Sequence, residues 1–258
     1  MSDSRTVDWY HTIDLPGRGP TPGYFDTRGA PVPLPERLDG KRCLDVGTYD
    51  GYWAFEMERR GAAEVVAIDA LDPHRWDWPG DATPEAIRTM AADKQAGAFD
   101  VARDALGSSV RRRDRSVYDL NPVRDGAFDV IYCGSLTLHL RDPVGALMAI
   151  RSVCRGILVY EDVIDLPLSA LMPRRPAASL DGRARPWWWK VNAAGLVRMA
   201  EAAGFEVLEG PRRFFVPFGA GAPELRVRLR RLHTRAGWAE ALLARKGAAR
   251  AAVVARPR

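Results

Sequence analysis

Short apolar runs recur along the chain, separated by stretches rich in charge, glycine and proline. Those near 41–46, 64–68, 127–133, 156–162, 205–216 and 248–255 have the length of strands, and a further strand is expected near 110–116, where the residues are mostly Arg. Segments near 51–60, 84–94, 98–106, 143–153 and 193–203 instead space their apolar residues about one helical turn apart. Trp53 and Met57 do so in the first, which Gly61 ends. This alternation predicts an α/β fold: a Rossmann-like, seven-stranded, mainly parallel sheet with helices on both faces and an antiparallel last strand. In such sheets ligands bind at the carboxyl ends of strands, near the switch in strand order. Residues 1–38, Pro-rich from 16 to 35, predict an extended leader serving as a lid. Residues 39–258 predict one domain with a helical insert at about 219–246. Within that insert, Leu225, Val227 and Leu229 alternate like a strand, while Pro223 and the spacing Leu225, Leu229, Leu232 favour a helix.

The stretch from Cys43 to Trp53 carries the most chemistry. An apolar strand passes through Asp45, Gly47, Asp50 and Gly51 directly into a helix, a junction suited to a nucleotide-like ligand. A second strand, 65–68, closes on Asp69, where a carboxylate bonds a ribose diol. A dinucleotide site wants Gly-x-Gly-x-x-Gly, yet counting from Gly47 the other two positions hold Tyr49 and Tyr52, whose rings block a diphosphate. Asp50, at the helix N-terminus, suits the helix dipole but repels phosphate, and it invites an ammonium group. A ribose at one end and a free amino acid at the other describe S-adenosylmethionine. The alternative is a cofactor-free α/β domain with a tight turn here.

With these residues the chain resembles the class I S-adenosylmethionine-dependent methyltransferases. Asp45-x-Gly47-x-x-x-Gly51 followed by Asp69 matches that superfamily's first two motifs, with Gly47-Thr48-Tyr49 where Gly-x-Gly is commoner. Residues 116–120 are similar to the adenine-side segment after the third strand, with Ser116 where many members place an acid. Residues 128–133 are similar to the fourth strand, and 138–159 to the fourth helix and fifth strand. The likeness covers about residues 40–210. It implies that S-adenosylmethionine, leaving as S-adenosylhomocysteine, is held by Asp45, Gly47, Thr48, Tyr49, Asp50, Gly51, Asp69, Ala70, Ser116, Val117, Cys133, Gly134 and Ser135. The leader segments 9–13 and 21–26 resemble those of a branch grouped with the tRNA wobble-uridine (methoxyuridine-type) methyltransferases.

Methyl transfer depends mainly on holding the nucleophile about 3 Å from the methyl carbon. Aromatic faces can hold a cationic methyl through cation–π attraction of ~1 kcal/mol. Tyr10 and Tyr24 in the leader and Trp187, Trp188 and Trp189 before the last helix fall in loops over the strand ends. With Glu161 they are the candidate acceptor-binding residues. Ordinary packing is the alternative for each ring, but three consecutive tryptophans do not all face one core. For an acceptor that arrives protonated, His11 and His139 are the candidate bases; Glu161 and Asp162 are alternatives, and proximity alone can suffice.

Charge adds a competing possibility. The chain carries 38 Lys and Arg against 33 Asp and Glu, and from Pro211 onward basic residues far outnumber acids. That asymmetry invites a nucleic-acid partner such as tRNA, although the dominance of Arg over Lys fits a general compositional bias better than a dedicated patch. No apolar run reaches membrane-spanning length and residues 1–5 lack a signal-peptide core, so a cytoplasmic protein with no membrane partner is expected. Cys43, Cys133 and Cys154 lack metal-ligand spacing, so reduced thiols and no metal are expected. The reading is a methyltransferase for a small-molecule acceptor, such as one of secondary metabolism. A tRNA nucleoside-modifying enzyme and a non-methylating S-adenosylmethionine-binding protein are the alternatives.

Overall fold

The computed structural model of the protein describes residues 7–95, 97–223 and 245–258. Its centre is a seven-stranded sheet. In chain order come β1 (Arg42–Val46), α1 (Tyr52–Arg59), β2 (Glu64–Asp69), α2 (Pro84–Gln95), α3 (Ala98–Leu106) and β3 (Arg111–Asp114). Then follow α4 (Pro122–Asp125), β4 (Phe128–Gly134), α5 (Pro143–Ser152), β5 (Cys154–Val163), α6 (Leu166–Leu171), α7 (Ala193–Ala202), β6 (Phe205–Val216) and β7 (Ala248–Pro257). In space the strands run β6-β7-β5-β4-β1-β2-β3. Every pairing is parallel except those of β7, which lies antiparallel to β5 and β6. This is the mainly parallel sheet expected from the sequence. The helical reading of the basic segment 224–235 lies outside the described residues.

Strand periodicity sorts the apolar residues onto two faces. Leu44, Val46, Val66 and Ile68 pack with Ala146, Leu147 and Ile150 of α5 and Leu196 of α7. Cys43, Val65 and Ala67 point the other way, to Trp53 and Met57 of α1 and Phe99 of α3. A fully buried Leu, Ile or Phe adds about 1.5–3 kcal/mol over an exposed one, so both faces are firmly specified. The leader joins the second face: Trp9, Ile13, Leu15, Leu34 and Leu38 are buried there. Backbone bonds hold it, with Thr12 N donating to Phe25 O at 2.8 Å and Asp26 N to Pro217 O at 2.9 Å.

Strand β7 is covered on both faces, which explains its run of alanine and valine. Arg250 interrupts that run and is itself only 1% exposed. Within the sheet β1 lies between β2 and β4, and the chain runs outward from it through β2 to β3 before crossing back to β4 on its other side. That switch opens a crevice at the carboxyl ends of β1 and β4.

Candidate functional site

A cavity of about 300 Å³ occupies this crevice. Its floor is the turn from β1 into α1. Gly47 lies at φ 77° and Gly51 at φ 90°, both left-handed positions that favour glycine. A Cβ on Gly51 would sit 2.5 Å from the Phe55 ring and 2.8 Å from that of Phe99, so this glycine also lets α1 pack. Asp45, Gly47, Thr48 and Tyr49 line the cavity, as do Asp69 and Ala70 at the end of β2, Ser116 and Val117 after β3, and Gly134 and Ser135 after β4. Asp69 Oδ2 accepts the Tyr49 N–H at 3.0 Å, which fixes the turn against β2. Ser116 caps the short turn that follows it, accepting from Tyr118 N at 3.4 Å.

Asp45 is 2% exposed and accepts the Thr48 hydroxyl at 2.7 Å. Burial pushes its carboxyl up to about 7, and nearby Asp69 adds to the rise, while the Thr48 bond and His11 oppose it. A guest cation would relieve that strain by stabilising the charged form.

The structure corrects several placements. Asp50 does not face the cavity: it is fully buried, its Oδ2 accepts the His11 backbone N–H at 2.6 Å, and its Oδ1 lies 2.6 Å from His11 Nδ1. It is not among the residues that line the cavity. Gly51 stands behind the wall, against Phe55 and Phe99. Cys133 is a core residue at 0% exposure because its side chain points to the α5 face. Glu161 is 1% exposed and satisfied internally, accepting from Tyr132 Oη at 2.5 Å and Arg250 Nη1 at 2.7 Å, so it is not available to an acceptor. Tyr24 is 38% exposed and packs edge-on to Phe25 and Phe218, away from the cavity. Of the three tryptophans only Trp187 reaches the wall. Trp188 and Trp189 turn outward, donating their indole N–H groups to Asp77 O at 2.7 Å and Arg141 O at 3.4 Å.

Tyr10, His11 and His139 do reach the wall. His139 Nδ1 donates to Pro186 O at 2.8 Å. Among residues the sequence reading passed over, Trp53 and Tyr132 line the cavity with ring centroids 4.7 Å apart. Asp77 ties down the cover, accepting from Tyr118 Oη and Arg141 N, both at 2.7 Å. Arg250 supports the wall from behind, donating to Ser135 Oγ at 2.5 Å and to Tyr10 Oη at 3.4 Å. Its signal was legible: a lone charge inside an apolar strand.

These features fit S-adenosylmethionine. Asp69 stands at a strand end for a ribose, a buried acid stands near the turn for a cationic amino acid, and a side chain at Gly47 would press on Leu136 at 3.2 Å and narrow the cradle. Among the described residues no group of His, Cys, Asp and Glu is arranged to hold a metal ion.

Comparison with known proteins agrees. The tRNA U34 carboxymethyltransferase of Helicobacter pylori (strain G27) is 28% identical over 176 residues, which are 67% of this chain and 59% of that protein. The alignment thus spans less than two thirds of that relative's length. The ubiquinone biosynthesis O-methyltransferase of Neisseria meningitidis serogroup C is 26% identical over 178 residues, 67% of this chain and 66% of that one. Among solved structures, the Burkholderia thailandensis 1,6-didemethyltoxoflavin-N1-methyltransferase, with 1,6-didemethyltoxoflavin and S-adenosylhomocysteine bound, superposes with a TM-score of 0.51 at 14% identity. The superposition covers 85% of this chain and 72% of that one, a likeness of fold. Residues 29–209 match the family described as "Methyltransferase domain", well over half of the chain, and the protein belongs to that family, among the class I S-adenosylmethionine-dependent methyltransferases.

Proposed function

We propose that the protein transfers a methyl group from S-adenosylmethionine to a small-molecule acceptor bound in this cavity, in the cytoplasm. The supporting observation is its lining: Tyr10 and His11 of the leader, the Arg75–Asp77 loop and Pro186–Trp187 all border the one cavity. Such a lining admits a small ring system and keeps bulk water from the reacting atoms. Bound there, the cofactor supplies a methyl group on a sulfonium, an electrophile that needs neither metal nor oxyanion hole. The protein's part is orientation. Asp69 would hold the ribose and Asp45 the amino-acid end, while Tyr10, Trp53 and Tyr132 offer aromatic faces beside them.

The curated tRNA relative favours a second reading, methylation of a tRNA nucleoside. Radiolabelled S-adenosylmethionine, offered with the low-molecular-weight fraction of a cell extract and separately with total tRNA, separates the two. Label in the small-molecule fraction is expected. Label in tRNA alone overturns the small-molecule reading, and bound cofactor with no S-adenosylhomocysteine formed in either pool overturns methyl transfer itself.

A further inference from the structure

His11 and Asp50 lie 39 residues apart in sequence, yet two contacts of 2.6 Å join them. A carboxylate offers only acceptors. With one oxygen on the His11 backbone N–H, the other receives the ring proton on Nδ1. This tautomer is assigned from the hydrogen-bond network. In the neutral ring the lone pair then resides on Nε2, for which there is no hydrogen-bond partner among the described residues. The ring is 6% exposed, and the wall it forms is that of the cavity. It is held on both sides: stacked on Tyr52 at 5.3 Å and met edge-on by Tyr10 at 4.8 Å.

We propose that His11 is the proton acceptor of the reaction and that Asp50 is its positioning residue, so that the acceptor is an alcohol, a phenol or an amine that enters the cavity still carrying its proton. This rests on the methyltransferase reading above. In the step, the acceptor's oxygen or nitrogen forms its bond to the methyl carbon and its proton passes to His11 Nε2. The electron pair of the broken carbon–sulfur bond stays with sulfur. The imidazolium so formed faces Asp50 directly and Asp45 through space, with Tyr10 and Tyr52 as the other titratable groups against it. His139 lacks this arrangement at Nδ1, which meets a neutral carbonyl.

The test uses the full chain and the variants His11→Asn and Asp50→Asn, with His11→Gln as a second probe should His11→Asn not fold. Nitrogen-15 spectra of histidine-labelled protein, without ligand, should show His11 as the Nδ1–H tautomer, and Asp50→Asn should lose it. S-adenosylhomocysteine affinity, by calorimetry, should stay within about threefold in all folded variants. Turnover of the labelled small-molecule pool should fall ~10²-fold or more in the His11 variants, and in Asp50→Asn the acid limb of the pH–rate profile should move. Wild-type turnover matched by His11→Asn, or an Nε2–H tautomer in the wild type, overturns the dyad while leaving methyl transfer standing. No labelled product from the wild-type protein overturns the methyltransferase reading and the dyad with it.

Discussion

Asp45 couples protonation to both stability and binding. An unfolded aspartate titrates near ~3.9, whereas the folded carboxyl is lifted to about 7, chiefly by burial. Between about pH 4 and 7 the folded state therefore binds a proton that the unfolded chain does not, and stability falls as pH rises across that window. Asp162, lifted by burial to about 6, adds the same slope over a narrower range. Asp45→Asn is expected to flatten the dependence of Tm on pH between about 4 and 7, which thermal melts across that range would check. An ammonium group against Asp45 favours the ionised form, so S-adenosylhomocysteine binding near pH 6 should release protons. Calorimetry in buffers of different ionisation heat would read that release, and Asp45→Asn should abolish it. Asp69→Ala should weaken the same ligand by roughly 1–3 kcal/mol, because it removes a ribose partner and frees the Tyr49 N–H that pins the turn.

The turn between β1 and α1 and the start of α7 behave as units. Gly47→Val places a branched side chain at φ 77°, 3.2 Å from Leu136, and pushes that flexible side chain into the cavity. Cofactor affinity should drop in a protein that still folds, whereas Gly51→Ala should cost stability by about 1–3 kcal/mol because it meets two packed rings. Asn192 caps α7 through Gly195 N at 2.7 Å, accepts Ala177 N at 3.0 Å, and donates to Met172 O and Arg175 O, both at 2.8 Å. Chemical denaturation of Asn192→Ala should show a loss above the ~1 kcal/mol of an ordinary cap, since four backbone groups lose their partner together. Elements of this kind divide what the sequence reveals from what it hides. Most strands and the longer helices were legible because burial on one or both faces leaves a period, whereas β3, with the sequence Arg-Arg-Arg-Asp, carries none. The short α4 and α6 and the strand pairs at Asp14–Leu15 with Gly19–Pro20 and Ala178–Leu180 with Trp189–Val191 are too short to repeat a pattern, and left none. At the site, Asp45, Gly47 and Asp69 were readable because strand ends converge in any such sheet. Asp50 was misjudged because its partner comes from the leader, and Trp188 and Trp189 because their indole N–H groups bond the distant carbonyls of Asp77 and Arg141.

At the scale of the whole molecule, the ion pair between Glu161 of β5 and Arg250 of β7 links three parts: sheet, cavity wall and leader. Both residues are 1% exposed, and the Arg250 guanidinium also lies 4.7 Å from the Phe25 ring centroid. Removing one member of a buried pair leaves the other charge without compensation, at about 3–5 kcal/mol. Arg250→Met should lose that much in urea denaturation, and adding Glu161→Leu should recover part of it. The same residue also sets an order of events in synthesis. Tyr10 and Arg250 are 240 residues apart, so at ~5–20 residues per second roughly 10–50 s separate their arrival at the ribosome. The leader can already bond Asp50 and pack on α1 and α3 early in that interval, but for its last 89 residues, roughly 4–18 s, Glu161 lacks its cation and β5 offers an open edge where β7 will insert. A nascent chain of this protein is thus an unfinished sheet with a sticky rim until β7 inserts.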